Sequence, residues 1–167
     1  GIMKSTINVP GEFTTIQSAI DAAVDGDTIL VSSGTYHETL EIVDKNVTLQ
    51  GEGNESTIIN GTSSAKLSAI YVSGGNVNIS GFTIENAGLH GIVISDSKAT
   101  TLEKNVIMEN VGDGIFFTNS TGTITNNTVR DNTARGMEVQ DNSNLKIADN
   151  VIEGNEEFGL IWLNATG

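Results

Sequence analysis

The chain of 167 residues contains no cysteine, a single proline and only 8 basic side chains against 21 acidic ones. Without cysteine it has neither a disulfide framework nor a thiolate zinc site. A net charge of −13 argues against nucleic acid or an anionic membrane surface as a partner, because both carry negative charge. No run of apolar residues approaches the roughly 18 that a membrane-spanning helix needs, so we expect no membrane insertion.

Small and polar residues are abundant instead: 19 glycines, 18 asparagines and 33 serines and threonines. This composition is typical of short strands joined by tight turns. The length suits a single domain with its own core. The opening residues, GIMKSTINVP, lack the apolar stretch of a signal peptide, so the location of the protein must be inferred from other features.

A repeat of 22–23 residues runs through the second half of the chain. Its tetrapeptides start at Gly91, Gly114, Gly136 and Gly159, and a related one starts at Ala69. A second pattern, N-x-(I/V)-x-x-N-x-x-x-G, starts at Asn105, Asn127 and Asn150, and a weaker copy carries Phe82 and Ala87 in place of its asparagines. Three short strands per repeat predict an all-β fold, a right-handed parallel β-helix with one coil per repeat, since the leucines of leucine-rich repeats are missing.

Stacked coils place equivalent residues in columns about 4.8 Å apart. The alternation of the strands predicts three inward-facing columns, here given strand by strand: Ile70/Val72, Ile92/Ile94, Ile115/Phe117, Met137/Val139 and Leu160/Trp162; then Ile79, Leu102, Ile124 and Ile147; then Ile84, Ile107, Val129 and Ile152. The asparagines form two further columns, Asn105/Asn127/Asn150 and Asn110/Asn132/Asn155, which we interpret as hydrogen-bonded ladders at the bends.

Near the N-terminus, residues 14–23 have the pattern of a short amphipathic helix that ends before Gly26. Thr14 and Gln17 are spaced as a capping box. We expect this helix to cover the N-terminal end of the core, and the segments 27–31, 39–42, 47–49 and 57–59 to build the first coil. In this interpretation the chain is one domain, with a cap and first strand in residues 1–33 and coils in 34–167. We expect no comparable cap at the C-terminus, so Leu160–Leu163 would continue into further coils or self-associate end to end.

The segment from Ile7 to Gly61, INVPGEFTTIQSAIDAAVDGDTILVSSGTYHETLEIVDKNVTLQGEGNESTIING, resembles the opening of pectin-lyase-like right-handed β-helix proteins. Gly34-Thr-Tyr36-His-Glu38 is similar to the G-x-Y-x-E stretch of pectinesterases. The later coils resemble the parallel β-helix repeat of carbohydrate-binding proteins and sugar hydrolases. The resemblance implies the fold over nearly the whole chain, and it implies a polysaccharide or glycan as partner.

The catalytic motifs of this superfamily are absent. The chain lacks the Q-D-T and L-G-R-P-W segments of pectinesterases, the N-T-D and R-I-K segments of polygalacturonases, the W-x-D-H of pectate lyases and the D-P-H-D of mannuronan epimerases. These absences argue against assigning the chain to any of these four enzyme classes.

Four side chains could still carry chemistry. The residue before the repeat glycine is His90, Asp113, Arg135 and Phe158 in successive coils, and Glu138 lies on the strand after Arg135. A polysaccharide lyase needs a base to remove a proton and a cation to neutralise a carboxylate, roles that His90 and Arg135 could fill. The structural alternative is an exposed ion pair between Asp113 and Arg135.

The neighbouring outward column contains Tyr71, Val93, Phe116 and Ile161. Tyr71, Phe116 and Ile161 are the candidate carbohydrate-binding residues, because aromatic and apolar platforms bind sugar rings. A covering loop or domain is the alternative explanation of this strip.

Two further features bear on ligands and location. One turn column, Asp96, Asn119, Asp141 and Asn164, is oxygen-rich; calcium is conceivable there, but we assign no metal site or cofactor, because such residues at turns usually bond their own backbone. Seven N-x-S/T sequons begin at Asn46, Asn54, Asn60, Asn78, Asn119, Asn126 and Asn164, which fits a secreted or cell-surface protein.

The sequence therefore predicts an extracellular or cell-surface β-helix module with a carbohydrate-associated binding or structural role and incomplete catalytic machinery. Two alternatives stay open: a lyase or hydrolase acting on acidic polysaccharide, and a purely structural scaffold or assembly domain.

Overall fold

The computed structural model describes residues 4–62 and 66–167, so residues 1–3 of the expected N-terminal cap lie outside the described part. Within those ranges it contains one helix, α1 (Ile16–Ala22), and short strands throughout. In chain order the strands are β1 (Thr6–Val9), β2 (Thr28–Val31), β3 (Gly34–His37), β4 (Leu40–Val43), β5 (Val47–Gly51), β6 (Thr57–Asn60), β7 (Ile70–Ser73), β8 (Val77–Ser80), β9 (Thr83–Glu85), β10 (Ile92–Ser95), β11 (Thr100–Glu103), β12 (Val106–Met108), β13 (Ile115–Thr118), β14 (Thr121–Thr125), β15 (Thr128–Arg130), β16 (Met137–Gln140), β17 (Asn144–Ala148), β18 (Val151–Glu153) and β19 (Leu160–Leu163).

The strands form three parallel sheets that wind into a solenoid of about seven coils, which confirms the predicted β-helix. The first sheet has the order β1-β2-β5-β8-β11-β14-β17, the second β3-β6-β9-β12-β15-β18, and the third β4-β7-β10-β13-β16-β19. Each full coil therefore contributes one strand to every sheet. In the third sheet, which carries the candidate site, Ile92 pairs with Ile70 on one side and with Ile115 on the other.

The segments predicted to form the first coil belong to two coils. β2 and β4 lie in one coil with β3 between them, whereas β5 and β6 begin the next. The sequence prediction missed β3 because the Gly34–His37 strand has no alternation of buried and exposed apolar residues: its burial comes only from Tyr36.

The predicted inward columns form a continuous core. Ile70, Ile92, Ile115 and Met137 are fully buried, as are their counterparts in the other two sheets through most of the coils. In the coil that ends with β19, Leu160 and Ile152 are only half-buried, and Trp162, which was predicted to face inward, is 36% exposed. Each coil thus completes the burial of its neighbour, as expected for a solenoid.

The asparagine ladders are confirmed. Asn127 Oδ1 accepts hydrogen bonds from the backbone N–H of Asn105 at 3.0 Å and from its side-chain amide at 3.2 Å. Asn127 Nδ2 in turn donates to the carbonyl of Leu102 and to Asn150 Oδ1. Asn110, Asn132 and Asn155 repeat the pattern. The ladders satisfy buried backbone groups where strands end, and they leave these amides no free polar atom for chemistry.

Most strands are followed directly by a residue with positive φ, the left-handed conformation that suits Asn, Asp and Gly. The corner after the third sheet includes Asp44, Asp96, Asn119, Asp141 and Asn164; the corner after the first includes Lys104, Asn126 and Asp149; the corner after the second includes Asn86, Glu109 and Asp131. This geometry explains why the sequence is rich in asparagine and aspartate at fixed spacing.

The helix caps the N-terminal end of the core, with Ile16, Ala19 and Ile20 buried. Its N-cap is Thr15, whose side chain accepts from the N–H of Ser18, so the predicted capping box at Thr14 is wrong by one residue. The reason is tertiary: a carboxylate from the adjacent coil, that of Glu38, accepts from the first two helical N–H groups at 2.9 and 3.0 Å. The free N–H groups at the start of the helix are therefore bonded by the Glu38 carboxylate and not by the side chain of Gln17, as the capping box predicted.

The other end of the helix is closed by Lys45. Its ammonium group donates to the carbonyls of Ile20, Asp21 and Ala23 at 2.7–3.0 Å. The helix therefore ends at Ala22, before Gly26. No helix in the described part of the chain is long and apolar enough to cross a membrane.

Candidate functional site

The candidate residues lie on the outward face of the third sheet and at the corner that precedes its strands. The strand register aligns Tyr71, Val93, Phe116, Glu138 and Ile161 in one column, as the repeat predicts. We call the four apolar members of this column the apolar row. It is unevenly exposed, however: Tyr71 is 39% exposed, Val93 is only 8% exposed, and Phe116 and Ile161 are half-buried. The expected continuous apolar strip is therefore a set of separate platforms.

A hydrogen-bond ladder at the corner beside this face was not predicted. The N–H of Asp113 donates to His90 Nδ1 at 2.9 Å, and the N–H of Arg135 donates to Asp113 Oδ1 at 2.9 Å. As in the asparagine ladders, a side chain accepts the backbone N–H of its counterpart in a neighbouring coil, but the direction is reversed: here the acceptor lies one coil earlier in the chain, whereas in the asparagine ladders it lies one coil later. The sequence indicates this ladder, because His90 and Asp113 occupy the same position in successive repeats.

Asp113 is almost fully buried, with 1% of its surface exposed, and Glu138 is 7% exposed. Burial and a side-chain hydrogen bond with Glu138 raise the pKa of Asp113 to about 7. When both groups are ionised, Asp113 Oδ2 has no hydrogen-bond partner among the described residues. A proton on that oxygen provides the donor to Glu138, so the two carboxyl groups share one proton near neutral pH.

Burial also acts to raise the pKa of Glu138. Hydrogen bonds from Asp113 and Gln140, together with the positive charge of Arg135, outweigh it and hold the pKa of Glu138 below its usual range. Gln140 Nε2 donates to Glu138 Oε1 at 2.6 Å. Glu138 is therefore the ionised member of the pair.

The guanidinium of Arg135 lies between two carboxylates. It is 3.4 Å from Glu138 Oε2 and 3.5 Å from Glu157 Oε2. The expected exposed ion pair between Asp113 and Arg135 is wrong: Asp113 is buried and bonds the backbone of Arg135. Glu157 was missed because it occupies a variable position of the repeat pattern, two residues before Gly159 and one coil further on than Arg135.

His90 connects the corner ladder to the apolar row. Its ring stacks on that of Phe116, with centroids 5.1 Å apart and planes 17° from parallel. Burial lowers the pKa of His90, against the opposing effect of Glu138. Because Nδ1 accepts the N–H of Asp113, the ring is neutral near pH 7 and carries its proton on Nε2. His90 thus offers a hydrogen-bond donor beside an aromatic face.

A groove of about 270 Å³ lies next to Tyr71 at the other end of the apolar row. Its walls include Leu40, Glu41, Leu67 and Leu89. A larger open hollow of about 640 Å³ lies at a different corner, along residues 50–56, and contains none of the candidate residues. The groove, not the hollow, therefore adjoins the candidate site.

Burial limits the access of a sugar to the two carboxyl groups, because Asp113 is 1% exposed and Glu138 is 7% exposed. Glycosidases hold their two carboxyl groups roughly 5 to 9.5 Å apart so that a sugar or a water fits between them.

The oxygen-rich turn column has a structural explanation. Asp96, Asn119, Asp141 and Asn164 all have positive φ, and Asn119 Nδ2 donates to Asp96 Oδ1 at 2.8 Å. The described residues include no group of three or more histidine and acidic side chains arranged to hold a metal ion. A calcium site at this column would have to rest mainly on amide and backbone oxygens.

Two known proteins are similar to this chain in sequence. A cell surface glycoprotein of Methanothermus fervidus is 40% identical over 103 residues, covering 60% of this chain and 16% of that protein. A probable pectinesterase/pectinesterase inhibitor of Arabidopsis thaliana is 35% identical over 114 residues, covering 64% of this chain and 21% of that protein. The chain thus spans about a fifth or less of the length of these relatives.

Among solved structures, a pectin methylesterase in complex with a hexasaccharide superposes with a TM-score of 0.55 at 16% identity, over 87% of this chain and 56% of that one. The family described as "Right handed beta helix region" matches residues 24–167. The chain belongs to this right-handed β-helix family.

Proposed function

We propose that this chain is a carbohydrate-binding β-helix module of a cell-surface protein, and that the outward face of the third sheet is its binding surface. One observation carries the proposal: this face presents two aromatic surfaces. Tyr71 is exposed beside a groove, and the rings of Phe116 and His90 are stacked on each other. Flat rings with adjacent polar groups bind the apolar faces and the hydroxyls of sugars.

The relatives agree with this role. One is named a cell surface glycoprotein, and one superposable structure holds a hexasaccharide. A binding role also accounts for the state of the polar groups, since Asp113 is buried and the charge of Arg135 is taken up by two carboxylates.

A glycan array with the purified chain tests the proposal. Tyr71→Ala and Phe116→Ala should each weaken, by about tenfold, the binding of those glycans that bind the wild-type chain. The circular dichroism spectrum should stay unchanged, which shows that the fold is retained. Val151→Ala is the matched control, because Val151 is an exposed apolar residue on the second sheet. Binding that survives both substitutions on the third sheet would place the surface elsewhere.

An enzyme acting on acidic polysaccharide is the second candidate, supported by the convergence of His90, Asp113, Arg135 and Glu138 in one cluster. A depolymerisation assay with and without Ca²⁺ tests it. Product release that disappears in Arg135→Ala would favour the enzyme over the binding module.

End-to-end association through Leu160–Leu163 is a separate proposal. This strand is the edge of the third sheet, and Trp162 and Leu163 are exposed. Sedimentation of the 167-residue chain should show a concentration-dependent dimer that Leu163→Lys abolishes, because a charge on an edge strand opposes pairing. A monomer at all concentrations would contradict it.

A further inference from the structure

The third sheet carries a second outward row, two residues further along each strand. Its register aligns Ser73, Ser95, Thr118 and Gln140, with the exposed apolar residues Val43 and Leu163 at the two ends. We call the four polar residues the hydroxyl row. These side chains are half-buried, uncharged and able both to donate and to accept hydrogen bonds. The hydroxyl row lies roughly 6.6 Å from the apolar row, since each residue advances a strand by about 3.3 Å.

The two rows together suit a pyranose chain. Tyr71 and the ring pair of Phe116 and His90 present flat apolar surfaces, and the hydroxyl row presents neutral polar groups beside them. Neutral donors and acceptors match sugar hydroxyls, which act in both roles.

The cationic side chain beside the ring pair is already paired, since Arg135 lies within 3.5 Å of both Glu138 and Glu157. His90 is neutral, because its Nδ1 accepts a backbone N–H. In the groove beside Tyr71, the wall contains one basic residue, Lys66, and one acidic residue, Glu41.

Further negative charge on this face would be costly. Glu138 is an ionised carboxylate in the same column, Glu157 lies beside Arg135, and the whole chain has a net charge of −13. This net charge would repel a polyanionic ligand at long range, and the two carboxylates would repel it at short range.

We propose that the apolar and hydroxyl rows of the third sheet bind a neutral polysaccharide and discriminate against its uronic-acid counterpart. The inference rests on the proposed carbohydrate-binding function and names the ligand class of the same surface. It predicts the opposite charge preference from that of the alternative enzyme, whose substrate would be acidic.

Isothermal titration calorimetry with matched oligosaccharides tests the inference. Each pair shares length and linkage and differs only at C6, for example β-1,4-linked mannohexaose against the mannuronate hexamer, and the corresponding glucose and glucuronate hexamers. We expect the neutral member to bind at least about tenfold more tightly at low salt, and high salt to reduce the difference by screening.

Glu157→Gln supplies the sharper comparison. It removes one carboxylate from Arg135 and should raise affinity for the uronate hexamer severalfold, while affinity for the neutral hexamer stays the same. Glu156→Gln is the matched control, since it removes the same charge from the adjacent exposed residue, for which no contact with Arg135 is formed. An equal increase of affinity for the uronate hexamer in both variants would mean that net charge alone sets the preference for neutral ligands. It would overturn the argument that the pairing of Arg135 with Glu157 excludes a ligand carboxylate.

The outcomes separate this inference from the proposed function. Tighter binding of the uronate member would overturn the neutral-ligand inference and leave carbohydrate binding intact. If no oligosaccharide of any pair binds and no glycan on the array binds, both the neutral-ligand inference and the proposed carbohydrate binding are overturned.

Discussion

Asp113 has two carboxyl oxygens in different surroundings, and this asymmetry explains its properties. One oxygen accepts the N–H of Arg135 and stabilises the corner between two coils. The other faces Glu138 and holds a proton near neutral pH. A single side chain is thus a member of a structural ladder and of a titrating pair.

This pairing predicts how stability depends on pH. The pKa of Asp113 rises from 3.8 to about 7 on folding, so between these values the native state binds more protons than the unfolded state. Stability should therefore fall as pH rises through this interval, by on the order of 4 kcal/mol for the whole shift at about 1.4 kcal/mol per pH unit. The lowered pKa of Glu138 acts in the opposite direction, but only at lower pH. Urea denaturation between pH 4.5 and 8 measures the slope.

Asp113→Asn should remove that contribution, because the amide still accepts the N–H of Arg135 but no longer titrates. Asp141→Asn, at an exposed corner, is the control and should retain the wild-type slope. Parallel pH profiles for wild type and Asp113→Asn would show that the two carboxyl groups do not share a proton.

Lys104 is an unusual residue for its corner. It has φ of 57°, whereas the same corner in the next two coils holds Asn126 and Asp149. A long side chain in this conformation costs about 1 kcal/mol. Lys104→Gly should therefore raise the free energy of unfolding by about 0.5 kcal/mol, after the greater chain entropy of glycine in the unfolded state is subtracted.

Chemical denaturation compares this variant with Lys98→Gly, a lysine that is not among the residues with positive φ. The control should lose stability. A loss in both variants would mean that the Lys104 side chain makes a favourable contact that exceeds its backbone strain.

At the scale of the strand and its corner, the repeat glycines are required by close packing between coils. A Cβ at Gly114 would lie 2.5 Å from Val129 Cγ1 and 2.8 Å from Asn132 Nδ2 and from the carbonyl oxygen of Gly136. A tightly packed core cannot open to admit it without strain.

Gly114→Ala should therefore destabilise the protein by about 2–3 kcal/mol in thermal or urea unfolding. Gly159→Ala provides an internal control at the same repeat position, because a Cβ there would meet only Ile152 Cγ2 at 3.4 Å. Equal losses at the two positions would contradict an origin in contacts between coils.

At the scale of the whole molecule, stability is built from contacts between neighbouring coils, and the N-terminal helix is a separate cover at one end. Seven residues are too few to form a stable helix alone. Two side chains from the coil beneath, Glu38 and Lys45, hold its two ends. The G-x-Y-x-E stretch, which resembles that of pectinesterases, thus has a structural role here through its glutamate.

Loss of the Glu38 carboxylate should loosen the helix locally. Glu38→Ala removes two charge-assisted hydrogen bonds, so amide exchange in residues 16–23 should accelerate by about tenfold or more, while exchange in β13 and β16 stays the same. Hydrogen exchange with mass spectrometry resolves the two regions.

Glu41→Ala is the control, since its side chain is exposed and its contacts with Gln17 are made by the backbone. Faster exchange throughout the coils of Glu38→Ala would mean that the helix and the solenoid unfold as one unit.

The repeat in the sequence was sufficient to predict the β-helix, the inward columns and the asparagine ladders, because each depends on spacing that recurs from coil to coil. It also placed His90, Asp113, Arg135 and Glu138 close together and aligned Tyr71 with Phe116. These are consequences of register, and register follows directly from a period of 22–23 residues.

Contacts that depend on which side chain occupies a repeat position, or that join segments outside the repeat, were decided by the folded chain alone. Burial of Asp113, its shared proton with Glu138, the second carboxylate on Arg135 and the stacking of His90 on Phe116 depend on side-chain directions and on desolvation. The closure of the helix by Glu38 and Lys45 likewise joins segments with no common pattern. A period specifies which residues are neighbours, whereas the depth of each residue and the partner that it bonds are set by three-dimensional packing.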